Sequence, residues 1–290
     1  MGASETLKTE EKTFSNLKES DSFKVPRGTI TYSTSTDSFL RRQFIQTVEF
    51  LSGRRKLERL YKEILDENPT SDEIWKLIFE KLGLSYQLKD GQLTEIPDNG
   101  PCIIVANHPF GVVDGVTLGH IVKQKRDKFK FLVNEVLCRE PLLDPYLLPI
   151  DFKETKDAIR TNLETRKEAL ACLDRGECIV IFPAGAVSTS PGFFQKAVDL
   201  EWKRFVGKLI KKSEAPVIPV HFEGHNSWIF QFASQIGEDL RLGVLLHEVI
   251  NKIGGVIEVS IRKKIPFTEI KGISKVDKVL DLLRSRVFNN

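Results

Sequence analysis

The chain has 290 residues, 41% of them hydrophobic and 29% charged, with a formal net charge of +3. That balance belongs to a soluble globular protein, and so small a charge gives no ground for a nucleic-acid partner. No run reaches the roughly 18 apolar residues that a membrane-spanning helix needs, and the polar N-terminus carries no secretory signal.

The length suits one main domain with a smaller region before it. Residues 1–36 are rich in Ser, Thr, Lys and Glu and are expected to be disordered or loosely packed; their first six residues loosely fit a myristoylation pattern. Residues 37–98 read as a helical N-terminal region and 99–290 as the main domain. Leu40, Phe44, Val48 and Leu51 share one helical face. Gly53 interrupts, and Leu57, Leu60, Tyr61 and Ile64 resume the pattern. Ser71 reads as the N-cap of a helix over 72–82, stopped by Gly83. Arg41, Arg42, Arg54, Arg55, Lys56 and Arg59 make either a solvated face or a basic surface near anionic headgroups. The runs 84–88 and 93–96 flank Lys89-Asp90-Gly91-Gln92, which predicts a hairpin.

Cys102-Ile103-Ile104-Val105-Ala106 is a short apolar run entered by Pro101, the pattern of a buried strand. It ends at Asn107-His108, where Pro109 blocks further strand pairing. Asp114 follows in an apolar loop, with Gly111 and Gly115 freeing the backbone. An imidazole takes up a proton near neutral pH, and a carboxylate on its other nitrogen fixes the tautomer and stabilises the imidazolium. The alternative is a structural His108 with Asp114 as a helix N-cap.

Further on, a helix is expected over 116–123, a strand over 130–133, and an apolar, proline-punctuated loop over 142–151. A helix over 158–175 ends at Gly176. The strand 178–182 runs into Pro183-Ala184-Gly185-Ala186-Val187-Ser188. A helix is expected over 192–212, where Phe193, Phe194, Val198, Phe205, Val206, Leu209 and Ile210 alternate with Lys196, Lys203, Arg204, Lys208, Lys211 and Lys212. It is either a core-facing stripe or a helix lying in a membrane interface. The strand 215–221 leads into Phe222-Glu223-Gly224-His225-Asn226-Ser227. A helix over 240–253, a strand over 255–261 and a helix over 274–288 complete the chain.

Apolar strands alternating with helices predict an α/β fold, a mostly parallel central sheet flanked by helices. Ligands gather at the carboxyl ends of such strands, where three polar or glycine-rich loops fall. Gly185 and Ser188 lie where backbone N–H groups can hold an anion. Cys102, Cys138, Cys172 and Cys178 show no metal spacing and read as reduced thiols of a cytosolic protein. His221 and His225 sit at a strand exit, unsuited to a metal pair, so no metal is expected. No G-x-S-x-G elbow supports an esterase.

Asn107-His108-Pro109-Phe110-Gly111-Val112-Val113-Asp114-Gly115, then Phe182-Pro183-Ala184-Gly185, then Val217-Ile218-Pro219-Val220 together resemble the glycerolipid acyltransferase superfamily. That family is typified by 1-acylglycerol-3-phosphate acyltransferases, with N-H-x4-D, F-P-E-G and V-P-V boxes in the same order. The resemblance covers roughly residues 100–266. It is closest to a bacterial branch labelled hemolysin or lyso-ornithine-lipid acyltransferase. Two departures stand out. His108 and Asp114 are six positions apart, one more than in the general box, and Ala184 replaces the family's Glu.

The resemblance implies an enzyme in which His108 deprotonates a lysolipid hydroxyl and Asp114 orients His108. The alkoxide then attacks the thioester of acyl-CoA or acyl-carrier protein. The acceptor expected is a lysophospholipid or lyso-ornithine-type lipid, and no further cofactor is implied. Backbone N–H groups around Gly111 or Gly185 are candidate oxyanion donors. Arg160 is a candidate for the acceptor head group, or a solvated helix-start residue, with Arg139 weaker. Glu223 and Asn226 are candidate contacts to the acceptor. A lysolipid substrate implies a peripheral position on the inner face of the cell membrane. The competing expectation is a non-catalytic lipid-binding or membrane-associated protein on the same fold.

Overall fold

The computed structural model describes residues 31, 38–134, 138, 140–151, 155–192 and 195–289. The expectations for residues 1–36 (Thr31 apart), for Arg139, and for Phe193 and Phe194 fall outside that set.

Seven strands form one sheet: β1 (Ser85–Gly91), β2 (Cys102–Ala106), β3 (Phe129–Asn134), β4 (Leu147–Ile150), β5 (Cys178–Ile181), β6 (Val217–Phe222) and β7 (Val256–Ile261). Their order is β1-β7-β6-β2-β5-β3-β4. Every pairing is parallel except β6 with β7. The fold is therefore the expected α/β one. β2 lies at the centre, all five residues buried, because an uninterrupted apolar run can be covered on both faces.

The helices are α1 (Phe39–Leu51), α2 (Arg54–Asp66), α3 (Ile74–Lys81), α4 (Val112–Lys123), α5 (Lys156–Asp174), α6 (Arg204–Ser213), α7 (Trp228–Ile236), α8 (Glu238–Lys252), α9 (Phe267–Lys271) and α10 (Val276–Phe288). Side chains alternate along the strands, and the two faces of the sheet bury separate cores. Cys102, Ile104 and Ala106 pack with α2, α3, α4 and α8. Ile103 and Val105 pack with α5, α6, α9 and α10. A third, smaller cluster joins α7 and α8 to Val48 of α1 and to Val187.

Three expectations are corrected. Residues 84–96 form no hairpin: β1 runs parallel to β7 with a register shift between Leu88 and Asp90. Gly91, at φ +78°, lies so close to the Ile261 backbone that no Cβ would fit. Its glycine thus marks a bulge and a close approach. The loop 142–151 contains a strand, β4, which carries Pro149 in the outermost position of the sheet, where a missing N–H is tolerated. The helix 192–212 is only α6, preceded by an antiparallel bridge between Thr189 and Val198. Its Val206, Leu209 and Ile210 are fully buried, so this stripe faces the core. Residues 228–236 add α7, which no expectation named. Among the described residues no helix is long and apolar enough to cross a membrane.

Candidate active site

At the carboxyl end of β2, Asn107 continues the pairing with side-chain atoms in place of backbone. Its Nδ2 donates to Phe222 O at 2.9 Å and its Oδ1 accepts from Phe222 N–H at 2.7 Å. The next residue, His108, faces the α4 side of the sheet. Its ring stacks on Phe182, the residue after β5, with centroids 4.0 Å apart. The side chain keeps 18% of its exposure, so the ring has a route outward.

The chain then turns at Gly111, whose φ of 79° and ψ of −119° suit only glycine. A side chain there would also press on Leu245 and Val187. α4 starts at Val112, four residues earlier than the periodicity suggested, so Asp114 is its third residue and Gly111 its N-cap. Asp114 reaches back as such residues do in a capping box. Its Oδ2 accepts the N–H groups of Phe110 at 2.8 Å and Gly111 at 2.9 Å.

His108 Nδ1 stands 3.0 Å from the same oxygen. The ring is turned so that its N–H is not aligned on it, and Asp114 Oδ1 is buried with no partner. Such bonds often tighten only when substrate is bound. Burial pushes the Asp114 carboxyl above its ordinary value, against the opposing pull of His108 and the two backbone N–H groups. A carboxylate so placed holds a proton more readily than an exposed one.

The loop after β5 closes over the other side. Ser188 is buried; its N–H donates to His108 O at 2.8 Å and its hydroxyl to Asp199 Oδ1 at 2.5 Å. Gly185 is exposed, with its N–H donating to Phe182 O at 2.9 Å. The Gly111 N–H is likewise taken, by Asp114. Neither glycine N–H is free for an oxyanion in this conformation. The N–H groups of Val112 and Val113, in the first turn of α4, have no partner within their helix.

Asn226 is fully buried beside the site loops, with neither side-chain atom bonded. Gly224, in the same loop, abuts Phe110. Arg160 and Glu223 are not assembled with His108. Arg160 is 66% exposed and pairs with Glu164 at 3.1 Å, on a helix packed against the opposite face. Glu223 is exposed and lies 3.4 Å from His221 Nε2, whose ring packs against Phe288 of α10. Among the described residues no three His, Cys, Asp or Glu side chains are grouped to hold a metal ion.

Two residues escaped the sequence reading, Lys252 and Asp199, and Phe182 enters it only as the start of a box, with no role. Phe182 is the ring under His108, and Lys252 Nζ lies 4.0 Å over the Phe110 ring, a cation–π distance. Asp199 is a buried carboxylate bonded to the His108 backbone. Only the polar break in the apolar Val198-Asp199-Leu200 run hints at it.

A sequence model of the family described as Acyltransferase matches residues 58–288, a span that contains every residue of this site. The chain belongs to the acyltransferase family. Two similar proteins are the lyso-glycine lipid O-acyltransferases of Phocaeicola vulgatus and Bacteroides thetaiotaomicron. The first is 35% identical over 57% of this chain and 56% of that protein. The second is 35% identical over 48% of each. The chain thus spans about half the length of these relatives. A solved 1-acyl-sn-glycerophosphate acyltransferase, PlsC from Thermotoga maritima, aligns over 84% of each chain at 20% identity, with a TM-score of 0.49.

Proposed function

We propose that the protein is an O-acyltransferase that moves a fatty acyl group from a thioester donor to the hydroxyl of a lysolipid. The observation that carries this is the pairing of His108 Nδ1 with the buried Asp114 at 3.0 Å, in a chain of the acyltransferase family. His108 Nε2 takes the proton of the acceptor hydroxyl. The oxygen attacks the thioester carbonyl, and the tetrahedral intermediate collapses with loss of thiolate. The imidazolium returns its proton to that sulfur, so the products are an ester and a free thiol. Asp114 stabilises the imidazolium between the two transfers. The first-turn N–H groups of Val112 and Val113 are the candidate oxyanion donors.

The acceptor proposed is a lyso-amino-acid lipid, with lyso-glycine lipid first among candidates. Its support is the likeness to two enzymes named for that acceptor. The donor proposed is acyl-CoA or acyl-carrier protein, with no further cofactor. We place the protein peripherally on the cytoplasmic face of a membrane. Support comes from α7, whose Trp228 is 76% exposed beside exposed Phe232 and Ile236. Gln231 and Gln235 of α7 bond to Ser190, at 2.8 and 2.5 Å, next to the loop over His108.

The test is an assay of purified protein with labelled acyl-CoA and acyl-carrier protein against lyso-glycine lipid, lyso-ornithine lipid and lysophosphatidic acid. Transfer to an amino-acid lysolipid is expected. Transfer to none, with vesicles still bound, would replace this reading by a lipid-binding one.

A further inference from the structure

Asp199 is buried, lies outside every motif singled out in the sequence, and gathers donors from three residues, one of them in the loop after β2. Its Oδ1 accepts the His108 backbone N–H at 3.2 Å and the Ser188 hydroxyl at 2.5 Å; its Oδ2 accepts the Trp202 indole N–H at 3.0 Å. Arg284 of α10 donates to the Asp199 carbonyl at 3.0 Å, which anchors the residue itself. The Ser188 N–H completes the frame by donating to His108 O. Both ends of His108 are therefore held from the 183–203 segment: its N–H by Asp199 and its C=O by Ser188. Three converging donors call for an acceptor-only side chain; an amide would turn its own NH2 toward one of them.

We propose that Asp199 is a positioning residue for His108. It fixes the backbone from which the ring hangs, so that the imidazole stays between Phe182 and Asp114 and within reach of the acceptor hydroxyl. The inference rests on the reading of His108 as the base. It acts through backbone and loop placement, and it touches neither substrate nor the reacting atoms.

The experiment compares Asp199→Ala, Ser188→Ala and the double variant Asp199→Asn with Trp202→Phe, each by steady-state kinetics and by NMR of the His108 ring, assigned with His108→Ala. A misplaced catalytic group can cost about 100-fold in rate. Asp199→Ala is expected to lower kcat by that order with KM nearly unchanged, and to shift the His108 ring signals. Ser188→Ala is expected to do the same more weakly. The double variant keeps a carbonyl for His108 and Ser188 and removes the donor that an amide would oppose; it is expected to recover most of the loss. If Asp199→Ala does not fold, Ser188→Ala carries the test.

A folded Asp199→Ala, or in its place Ser188→Ala, with wild-type kcat and unmoved His108 signals overturns the proposal. If wild-type protein transfers no acyl group at all, the functional reading fails first. The ring signals still decide whether Asp199 sets the position of His108.

Discussion

The two ends of β2 are both finished by buried polar networks, and the networks differ in kind. At the amino end, the Arg126 guanidinium donates to the carbonyls of Pro97, Gly100 and Gly176 at 2.7–2.8 Å, beside Cys102 Sγ. Its acceptors are mainly backbone, from the loops that enter β2 and β5. Such a network ties the entries of two neighbouring strands together. At the carboxyl end the members are His108, Asp114, Ser188 and Asp199. One carboxylate oxygen is left without a partner, one carboxyl is pushed up by burial, and one ring keeps a path outward. Each network leaves a buried atom without a partner, Arg126 Nε at one end and Asp114 Oδ1 at the other; what marks the carboxyl end as the one where protons move is that an imidazole and a carboxylate face each other there.

That contrast can be broken by substitution. The largest effect is expected from His108→Ala: transfer should fall about 10³-fold, within the range of general-base catalysis. The variant should still melt close to wild type in a thermal scan, because its ring carries no part of the deep core.

Asp114→Asn should lower transfer by roughly 100-fold and should also reveal the carboxyl's burial. The folded-state value for Asp114 lies above the ordinary 3.8. As pH rises from there, the unfolded chain loses its proton before the folded chain does, so stability falls across that window. Urea denaturation at a series of pH values should therefore find Asp114→Asn gaining on wild type as pH climbs. A gap that narrows with pH would mean that His108 and the backbone N–H groups outweigh burial.

The other end should respond in the opposite way. Arg126→Met is expected to cost about 2 kcal/mol of stability, since three half-buried carbonyls lose their donor. The turnover of the folded fraction should be retained. The smallest effects are expected from Arg160→Ala and Glu223→Gln, each within about 0.5 kcal/mol in stability and without change in transfer. A large loss of transfer in either would place the acceptor's head group across the sheet edge, on the α5 side.

Much of the fold was legible because its central strands are apolar runs. Cys102–Ala106, Cys178–Ile181 and Val217–Phe222 each have too few polar residues to be anything but buried. The edges were not legible. Asp90-Gly91 carries a hairpin's composition, yet Gly91 serves the close approach of β7. Pro149, in a loop-like run punctuated by prolines, argues against a strand; the interior β6 carries Pro219, but its unbroken apolar run outweighs the proline, and only the assembled sheet shows β4 as an outermost strand. The spacing of His108 and Asp114 announced the pair, and the glycine between them announced a turn. What the spacing could not carry is that Asp114 would occupy the Gly111 N–H. Nor could it reveal that Asp199, 91 positions from His108, would hold the histidine's backbone.

The most direct measurement is a single-turnover experiment with protein in excess over a labelled acyl thioester, with lyso-glycine lipid present or withheld. Intact protein mass is recorded beside lipid product, for wild type and for His108→Ala. If His108 is a general base, label passes to the lipid only when acceptor is present, never resides on the protein, and stays on the donor in His108→Ala. An acyl adduct on the protein, or lipid product formed at the wild-type rate by His108→Ala, would contradict the account.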